Sequence, residues 1–256
     1  MLTCLKECMF APICGFIYLP MKKSFLIFLC ATTLSLALAQ ENSGKKIKPY
    51  VTTGGELIFS LAHLSIDQSE QGTPLRFSPV FNAQMWIHAD QNEHFGFFSG
   101  FTLRNVGFIY DLPGTDTRKK ARSYNIGIPF AFKFGDMSST FVYAGYEVEL
   151  AFNYKEKTFV EGDKKDKFNR WFSDRMNLFQ HGLFVGVQLP HDANLKFKYY
   201  VSKFYNSNFA ETDANGVVVH PYQNIDANVF YFALSFMLRR EKLEKFRRPD
   251  TYSTRR

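Results

Sequence analysis

The sequence predicts an all-β fold: an eight-stranded antiparallel up-and-down transmembrane β-barrel with short periplasmic turns and longer extracellular loops. Three observations predict it, namely two long alternating segments between Ser123 and Tyr154, a richness in phenylalanine, and connections that are alternately long and short. Successive side chains of a strand point to opposite faces, so each alternating segment has one apolar and one polar face. Segments of about twelve residues exceed the ~5–6 residues of an ordinary strand and match a tilted strand that crosses a bilayer.

The two alternating segments are predicted to pair as a hairpin. The apolar face of the first arm consists of Tyr124, Ile126, Ile128, Phe130, Phe132 and Phe134. Its other face consists of Ser123, Asn125, Gly127, Ala131 and Lys133. The apolar face of the second arm consists of Val142, Ala144, Tyr146, Val148, Leu150, Phe152 and Tyr154. Its other face consists of Tyr143, Gly145, Glu147, Glu149, Ala151 and Asn153. A period of two indicates strands with a single apolar face.

The remaining strands of the predicted barrel, which covers residues 49–238, follow the same pattern. Three precede the hairpin, at about 49–62, 75–87 and 94–110, and three follow it, at about 178–189, 194–205 and 225–238. The total of eight is even, as expected of a single-chain bacterial barrel. The alternation of the third strand slips near Asn105, which indicates a β-bulge or the point where the strand leaves the bilayer.

The connections between these strands alternate in length. Residues 88–93, 135–139 and 190–192 form short turns, whereas residues 63–74, 111–120, 155–177 and 206–224 form long loops. A membrane barrel has short turns at one end and longer loops at the other. A soluble barrel of the lipocalin type stays an alternative, because periodicity alone does not say which face points outward. Such a barrel has no physical reason to sort its loops in this way.

Composition excludes two other classes of protein. A charged fraction of 21% and a mean hydropathy of −0.20 exclude a bundle of membrane helices, since each helix needs about 20 apolar residues. The net charge of +7 would suggest a nucleic-acid partner. The positions of the charged residues along the chain argue against it. Residues 239–256 hold eight Arg or Lys against three acidic residues, and residues 1–39 hold three Lys against one Glu. The predicted barrel is therefore close to neutral, and no nucleic-acid partner is expected.

The first 39 residues are predicted to be a signal peptide with an upstream extension. Met21-Lys22-Lys23 is a basic start, residues 24–36 are apolar, and Ala37-Leu38-Ala39 is a small-residue cleavage motif. Translation is expected to begin at Met21 and cleavage to follow Ala39, leaving a polar lead over residues 40–48. All four cysteines precede that site, so the mature chain would have no thiol. The predicted location is the outer membrane of a Gram-negative bacterium.

The polar faces predict a lumen that is filled by paired charges. Eight strands leave an interior just wide enough for side chains, and lone buried charges are costly. The predicted ion network consists of Glu56, Arg76, Arg104, Lys133, Glu147, Glu149, Lys196 and Lys198. The same residues leave open a weaker hypothesis, in which Glu147 and Glu149 act as a general acid and base. Ser173, Asp174 and His181 are candidates for the triad of a lipid hydrolase. No metal or cofactor motif occurs, so no catalytic, metal or cofactor site is predicted.

Two segments are candidates for contact with lipid or protein partners. The first lies in the loop 155–177 and offers Lys164, Lys165, Lys167, Phe168 and Trp171. The second is the basic tail 239–256, predicted to be periplasmic, with Arg239, Arg240, Arg247 and Arg248. Outer-membrane lipid, anionic lipopolysaccharide and other envelope proteins are the partners expected for such segments.

The hairpin resembles one known family. Tyr124-Asn125-Ile126-Gly127-Ile128-Pro129, then Lys133, then Tyr143-Ala144-Gly145 is similar to the core motif of PorT-like outer-membrane β-barrels from Bacteroidota, although Gly127 stands where that family often has an acidic residue. The resemblance implies an eight-stranded envelope barrel, sometimes tied to protein secretion, and transfers no catalytic residue. The predicted function is a structural or assembly component of the envelope. A small-solute pore or ligand-binding barrel, and a lipid-modifying enzyme, are the alternatives.

Overall fold

The structure, a computed structural model, describes residues 47–212 and 215–239. Eight long strands form the barrel. They are β1 Tyr50–Ile66, β2 Ala83–Asp90, β3 Phe95–Asp111, β4 Thr117–Gly135, β5 Phe141–Val160, β6 Phe179–Gln188, β7 Ala193–Tyr200 and β8 Ile225–Phe236. The predicted signal peptide, residues 40–46 of the polar lead and residues 240–256 of the tail lie outside the described residues.

Every long strand pairs with its neighbours in sequence, and the last pairs with the first. Each of these pairings is antiparallel, and β1 closes the ring through the register of Glu56–Ile66 against Ile225–Ser235. Closure leaves no free edge, so the backbone groups of each strand can be satisfied within the sheet. The predicted eight-stranded antiparallel up-and-down barrel is confirmed.

The structure also contains short strands and one 3₁₀ turn in addition to the eight long strands. Ser69–Gln71 and Arg76–Ser78 pair with β1, Asp163–Trp171 pairs with β5, and Leu238–Arg239 pairs with the start of β1. Glu211–Thr212 and Val218–Val219 form a separate two-stranded sheet, and Pro190–Asp192 is a single 3₁₀ turn. Within the described ranges, no helix is long and apolar enough to cross a membrane.

The apolar faces point outward, as predicted. Exposed side chains on β4 and β5 include Ile126, Ile128, Phe130, Phe132, Phe134, Val142, Tyr146 and Val148. The intervening residues, among them Asn125, Lys133, Glu147 and Glu149, are buried. A continuous apolar outer surface around a polar interior is the arrangement of a barrel that spans a membrane. The soluble alternative, with its apolar face inside, does not fit this exposure pattern.

The predicted face of Tyr154 is wrong because β5 contains a bulge. Asn125 of β4 lies opposite Ala151, whereas Tyr124 lies opposite Asn153, so Phe152 is an extra residue in the ladder. One extra residue exchanges the two faces of everything that follows. Tyr154 therefore points inward and is fully buried, while Asn153, opposite Tyr124, lies on the outer side, where it is covered.

The sequence predicted a β-bulge or the exit from the bilayer near Asn105, and of these two the bulge does not occur. The register of β3 with β4 is the same from Phe95 to Asp111. The alternation in the sequence slips because the inward residues beyond Arg104 are apolar: Val106, Phe108 and Tyr110. Asn105 itself lies on the outer side but is covered, since its amide donates to Asn82 Oδ1 at 2.8 Å.

The predicted second strand is divided in two. Arg76–Ser78 pairs with Ile58–Ser60 of β1, and pairing with β1 resumes only at Ala83. Residues 79–82 leave the ladder, since Pro79 has no amide hydrogen and Phe81 adopts a φ of +63°. The chain there folds over Asn105, whose carbonyl oxygen accepts a hydrogen bond from Ser78 Oγ at 3.1 Å.

Two of the predicted long loops are largely strand. β3 continues to Asp111 and β4 begins at Thr117, so only residues 112–116 connect them. β5 runs for 20 residues to Val160, and Asp163–Trp171 folds back against it. The polar residues correctly predicted that these segments are exposed. Their backbone groups nevertheless form the hydrogen bonds of a β-ladder, which continues beyond the band of outward-facing apolar side chains (the apolar band). We call this projecting part the outer hairpin; it consists of residues 117–123 of β4, residues 154–160 of β5, and Asp163–Trp171.

The interior is arranged in three layers along the barrel axis. The layer nearest the short turns, the turn end, consists of Trp86, Phe98, Ala131, Met137, Phe141, Tyr143, Phe184 and Met237. The layer nearest the loops, the loop end, includes Val106, Phe108, Tyr110, Tyr154, Tyr200, Phe204, Tyr205, Tyr222 and Tyr231. On β3, Arg104 lies between Phe98 and Val106, and on β5 Glu147 and Glu149 lie between Tyr143 and Tyr154. Charged residues thus form the middle layer.

We expect Val148→Arg to destabilise the barrel by about 2–4 kcal/mol, because it places a charge in the middle of the apolar band. The measurement is urea unfolding of barrel refolded into phospholipid vesicles. Gln91→Arg, in the exposed turn between β2 and β3, is the matched control and should change the unfolding free energy little. Equal losses in both variants would contradict an outward band in contact with lipid.

Candidate functional site

The middle layer is a cluster of six charged side chains. Arg104 Nε donates to Glu56 Oε2 at 2.9 Å, and its Nη1 contacts Glu147 Oε1 and lies 2.9 Å from Glu149 Oε1. Lys198 Nζ lies 2.7 Å from Glu147 Oε2 and 2.6 Å from Glu149 Oε1. Lys196 Nζ contacts the remaining oxygen of Glu56. We call these residues the lumen cluster: Glu56, Arg104, Glu147, Glu149, Lys196 and Lys198.

The lumen cluster is buried and electrically balanced. Its side chains are at most 2% exposed. It holds three carboxylates and three cations, so no net charge is enclosed. Neutral groups satisfy the remaining atoms: Tyr200 and Asn125 donate to Glu149 Oε2, both at 2.7 Å, and Lys196 donates to Gln84 Oε1 at 3.1 Å. A buried charge network is tolerable only when it is paired and hydrogen-bonded to this degree.

Two residues predicted for the ion network lie elsewhere. Arg76 donates from Nη2 to Asn105 Oδ1 at 2.6 Å, because the chain leaves the β1 ladder after Ser78. Lys133 lies at the turn end, where Nζ contacts Asp90 and lies 3.2 Å from His88 Nδ1. A second small network forms there.

One member of this turn-end network, His88, lines an opening in the barrel. Tyr50 stacks on His88 with ring centroids 4.6 Å apart, and Arg239 lies over the Tyr50 ring at 4.3 Å. The residues border a cavity of about 190 Å³ that is closed on its inner side by the Trp86 layer. Sequence reasoning missed Tyr50, His88 and Asp90, although His88 continues the inward alternation of β2 and could have been found from it.

A tyrosine-rich group closes the loop end. Glu156 accepts hydrogen bonds from Tyr154 and Tyr222 and pairs with Lys119 Nζ at 3.2 Å. Burial, reinforced by the negative charge of Glu156, raises the pKa of the Tyr222 phenol. Tyr205 stacks on Tyr222 with centroids 4.5 Å apart. Tyr205 and Tyr222, from the loop that follows β7, therefore help to cover the loop end of the lumen.

The candidate hydrolase triad is not assembled. Ser173 Oγ accepts from the amide of Arg175 at 3.4 Å, and the His181 ring lies beside Tyr146, which faces outward. No hydrogen bond among the described residues joins Ser173, Asp174 and His181. Glu147 and Glu149 share Arg104 and Lys198 and line no open cleft. In the described ranges, no group of three or more His, Cys, Asp or Glu is placed to hold a metal ion.

The predicted contact residues of the loop 155–177 divide between two sides of the outer hairpin. Lys164 and Lys167 are exposed on the outer side, and Trp171 stacks there on Phe152 with centroids 5.5 Å apart. Lys165 is exposed and pairs with Asp163 at 3.7 Å. Phe168 instead turns inward, with Arg175 over its ring at 4.0 Å, so it does not share the outer surface. Of the predicted tail contacts, Arg239 lies at the turn end, while Arg240, Arg247 and Arg248 lie outside the described residues.

Comparison with known proteins finds similarity only at the level of solved structures. No family model matches the chain, and no curated protein shows a significant match. The attachment invasion locus protein Ail of Yersinia pestis is 9% identical, with 74% of this chain and 99% of that chain covered and a TM-score of 0.33. Ail in complex with the heparin analogue sucrose octasulfate is 8% identical, with 73% and 99% covered and a TM-score of 0.33. Neisserial surface protein A is 14% identical, with 73% and 96% covered and a TM-score of 0.32. Similarity of this size transfers no ligand, partner or activity.

We expect Glu147→Gln to cost about 3–5 kcal/mol of unfolding free energy, because Arg104 and Lys198 stay buried with one carboxylate fewer. Asp111→Asn, which removes the partner of half-exposed Arg118, is the matched control and should cost below ~1 kcal/mol. Denaturant unfolding in lipid vesicles measures both. The charge-balanced double variant Glu147→Gln with Lys198→Met should cost less than the sum of its single variants. Additive losses in the double variant would contradict a coupled cluster.

Proposed function

We propose that this chain is an outer-membrane β-barrel with a closed lumen that serves as a structural or assembly component of the cell envelope. The single observation that carries the proposal is the filled interior, in which a balanced ion cluster lies between two layers of packed aromatic side chains. A barrel of this size with such a core offers no continuous aqueous path. Its activity would then reside in the surfaces it presents at its two ends.

Several features support the outer membrane as its location. The outward band of phenylalanine, isoleucine and valine suits a hydrocarbon environment, and a closed ladder is the one β-architecture that lipid tolerates. The predicted signal peptide, cleaved after Ala39, would deliver the chain across the inner membrane. The resemblance of residues 124–145 to PorT-like barrels supports an assembly role, including one associated with secretion.

The alternatives receive less support. A pore would need a path through the lumen cluster, where the side chains of Trp86, Phe98 and Tyr231 stand above and below buried charges. A solute-binding barrel would need an internal cavity, but the opening at the turn end holds only about 190 Å³ and is bounded inside by Met137, Phe141 and Met237 of the packed layer. The proposal includes no catalytic role, because Ser173 and His181 make separate contacts. Partners would be lipid, lipopolysaccharide and other envelope proteins.

The closed lumen is tested by reconstituting the purified barrel in a planar lipid bilayer. We expect no steady conductance, because ions would have to displace the buried pairs of the lumen cluster. A variant carrying both Glu56→Ala and Lys196→Ala removes two opposed side chains without changing net charge, and should leak more than the parent. Steady, stepwise conductance of the unsubstituted barrel would refute the closed-lumen proposal.

The assembly role is tested by crosslinking in intact cells and purifying a tagged barrel. We expect defined envelope proteins to be recovered with the full chain and to be lost when residues 240–256 or the exposed hairpin tip 161–165 are altered. An unrelated eight-stranded barrel of equal abundance is the control for chance crosslinks. Recovery of the same proteins with this control would contradict an assembly role.

A further inference from the structure

The outer hairpin carries an arrangement of charge that its own fold does not explain. On its outward side Lys120 lies opposite Lys157, and Lys157 lies opposite Lys167 on the third strand. In the neighbouring row Arg122 lies opposite Lys155. Like charges directly opposite one another destabilise a sheet. We call six residues of this surface the basic face: Lys120, Arg122, Lys155, Lys157, Lys164 and Lys167.

The basic face has no acidic partners of its own. Among the described residues, no carboxylate lies within ion-pair distance of any of its six cations. Three nearby acids are engaged elsewhere: Asp111 pairs with Arg118, Asp163 pairs with Lys165, and Glu156 pairs with Lys119 on the inner side. Burial, together with the neighbouring cations Arg122 and Lys167, lowers the pKa of the Lys155 ammonium, which is the expected effect of crowded positive charge.

The basic face lies next to a group of aromatic side chains on the outer surface of the barrel, and this position indicates where it lies relative to the membrane. Directly towards the turn end, the same outer surface carries Tyr124, Phe152 and Trp171. Arg122 lies over the Tyr124 ring at 5.8 Å, which joins the cations to the aromatic group. Aromatic residues of this kind mark the boundary between hydrocarbon and headgroups in membrane barrels. The basic face therefore begins where the apolar band ends, at the level of the outer-leaflet headgroups.

We propose that the basic face binds the phosphorylated headgroup of lipopolysaccharide in the outer leaflet. The inference rests on the proposed function, because it requires the loop end to face outward in an outer membrane. Neighbouring strands lie about 4.8 Å apart, so the row of three lysines spans about 10 Å and can contact more than one phosphate. Phosphate oxygens would supply the negative charge that the sheet lacks, and the exposed Trp171 would pack beside the upper acyl chains.

The test measures binding of purified lipopolysaccharide to the folded full-length barrel in detergent micelles by native mass spectrometry and titration. The test variant combines Lys120→Gln, Lys157→Gln and Lys167→Gln. We expect its affinity to fall on the order of 100-fold, since each cation near an anionic surface contributes about one kcal/mol. The control variant combines Arg118→Gln, Lys165→Gln and Lys203→Gln, which removes equal charge from exposed cations that already pair with acids. Its affinity should change less than about 2-fold.

A second readout separates binding from folding. In a neutral detergent without lipopolysaccharide, the test variant should unfold at the same or a higher denaturant concentration than the parent, because opposed like charges have been removed. Equal loss of affinity in the test and control variants would overturn the proposal. The proposal would also be overturned if dephosphorylated lipopolysaccharide, or phosphatidylglycerol added to the same micelles, bound the parent barrel as tightly as intact lipopolysaccharide does. A negative result in these binding assays would refute the lipopolysaccharide site but not the proposal of a closed barrel. Steady conductance in the planar bilayer would refute the closed barrel but not the lipopolysaccharide site.

Discussion

Closure of the backbone ladder is the constraint on which the rest of this structure depends. Once β1 pairs with β8, every residue on the ring faces either the surroundings or a narrow interior. A charged side chain is costly on the outer surface of the apolar band, and a charge without a partner is costly inside the barrel. The three carboxylates and three cations of the lumen cluster meet the second condition, because every carboxylate oxygen, both lysine nitrogens, and Nε and Nη1 of Arg104 have a partner on another strand. The packed aromatic layers at either end then exclude water from these pairs.

The same constraint places function at the ends of the barrel. A ladder that continues past the apolar band can carry charges that the band forbids, and β4 and β5 use this freedom in the outer hairpin. Its inner side contributes Tyr154, Glu156 and Phe168 to the cover of the lumen, while its outer side presents unpaired cations. At the turn end, Lys133 pairs with Asp90 and contacts His88, which borders the opening. One hairpin thus closes the barrel and offers a surface to the surrounding membrane.

Much of this arrangement was predictable because alternation with a period of two is a local property. The inward positions of Glu56, Arg104, Glu147, Lys196 and Lys198 follow from their neighbours along each strand. Register is not local, however. The extra residue Phe152 reversed the face of Tyr154, and the break after Ser78 took Arg76 away from the cluster. Both events depend on how two strands align across the sheet, and a single strand carries no signal of it.

By itself, the sequence determined the class of fold, the number of barrel strands and the direction of their apolar faces, because these follow from composition, periodicity and the alternation of short and long connections. Only the tertiary structure decided which charges meet, which of them remain without partners, and where the polar loops continue as strand. The physical reason is that ion pairs form across the barrel between residues as distant in sequence as Glu56 and Lys196. Likewise, the rows of opposed lysines exist only once three strands have aligned.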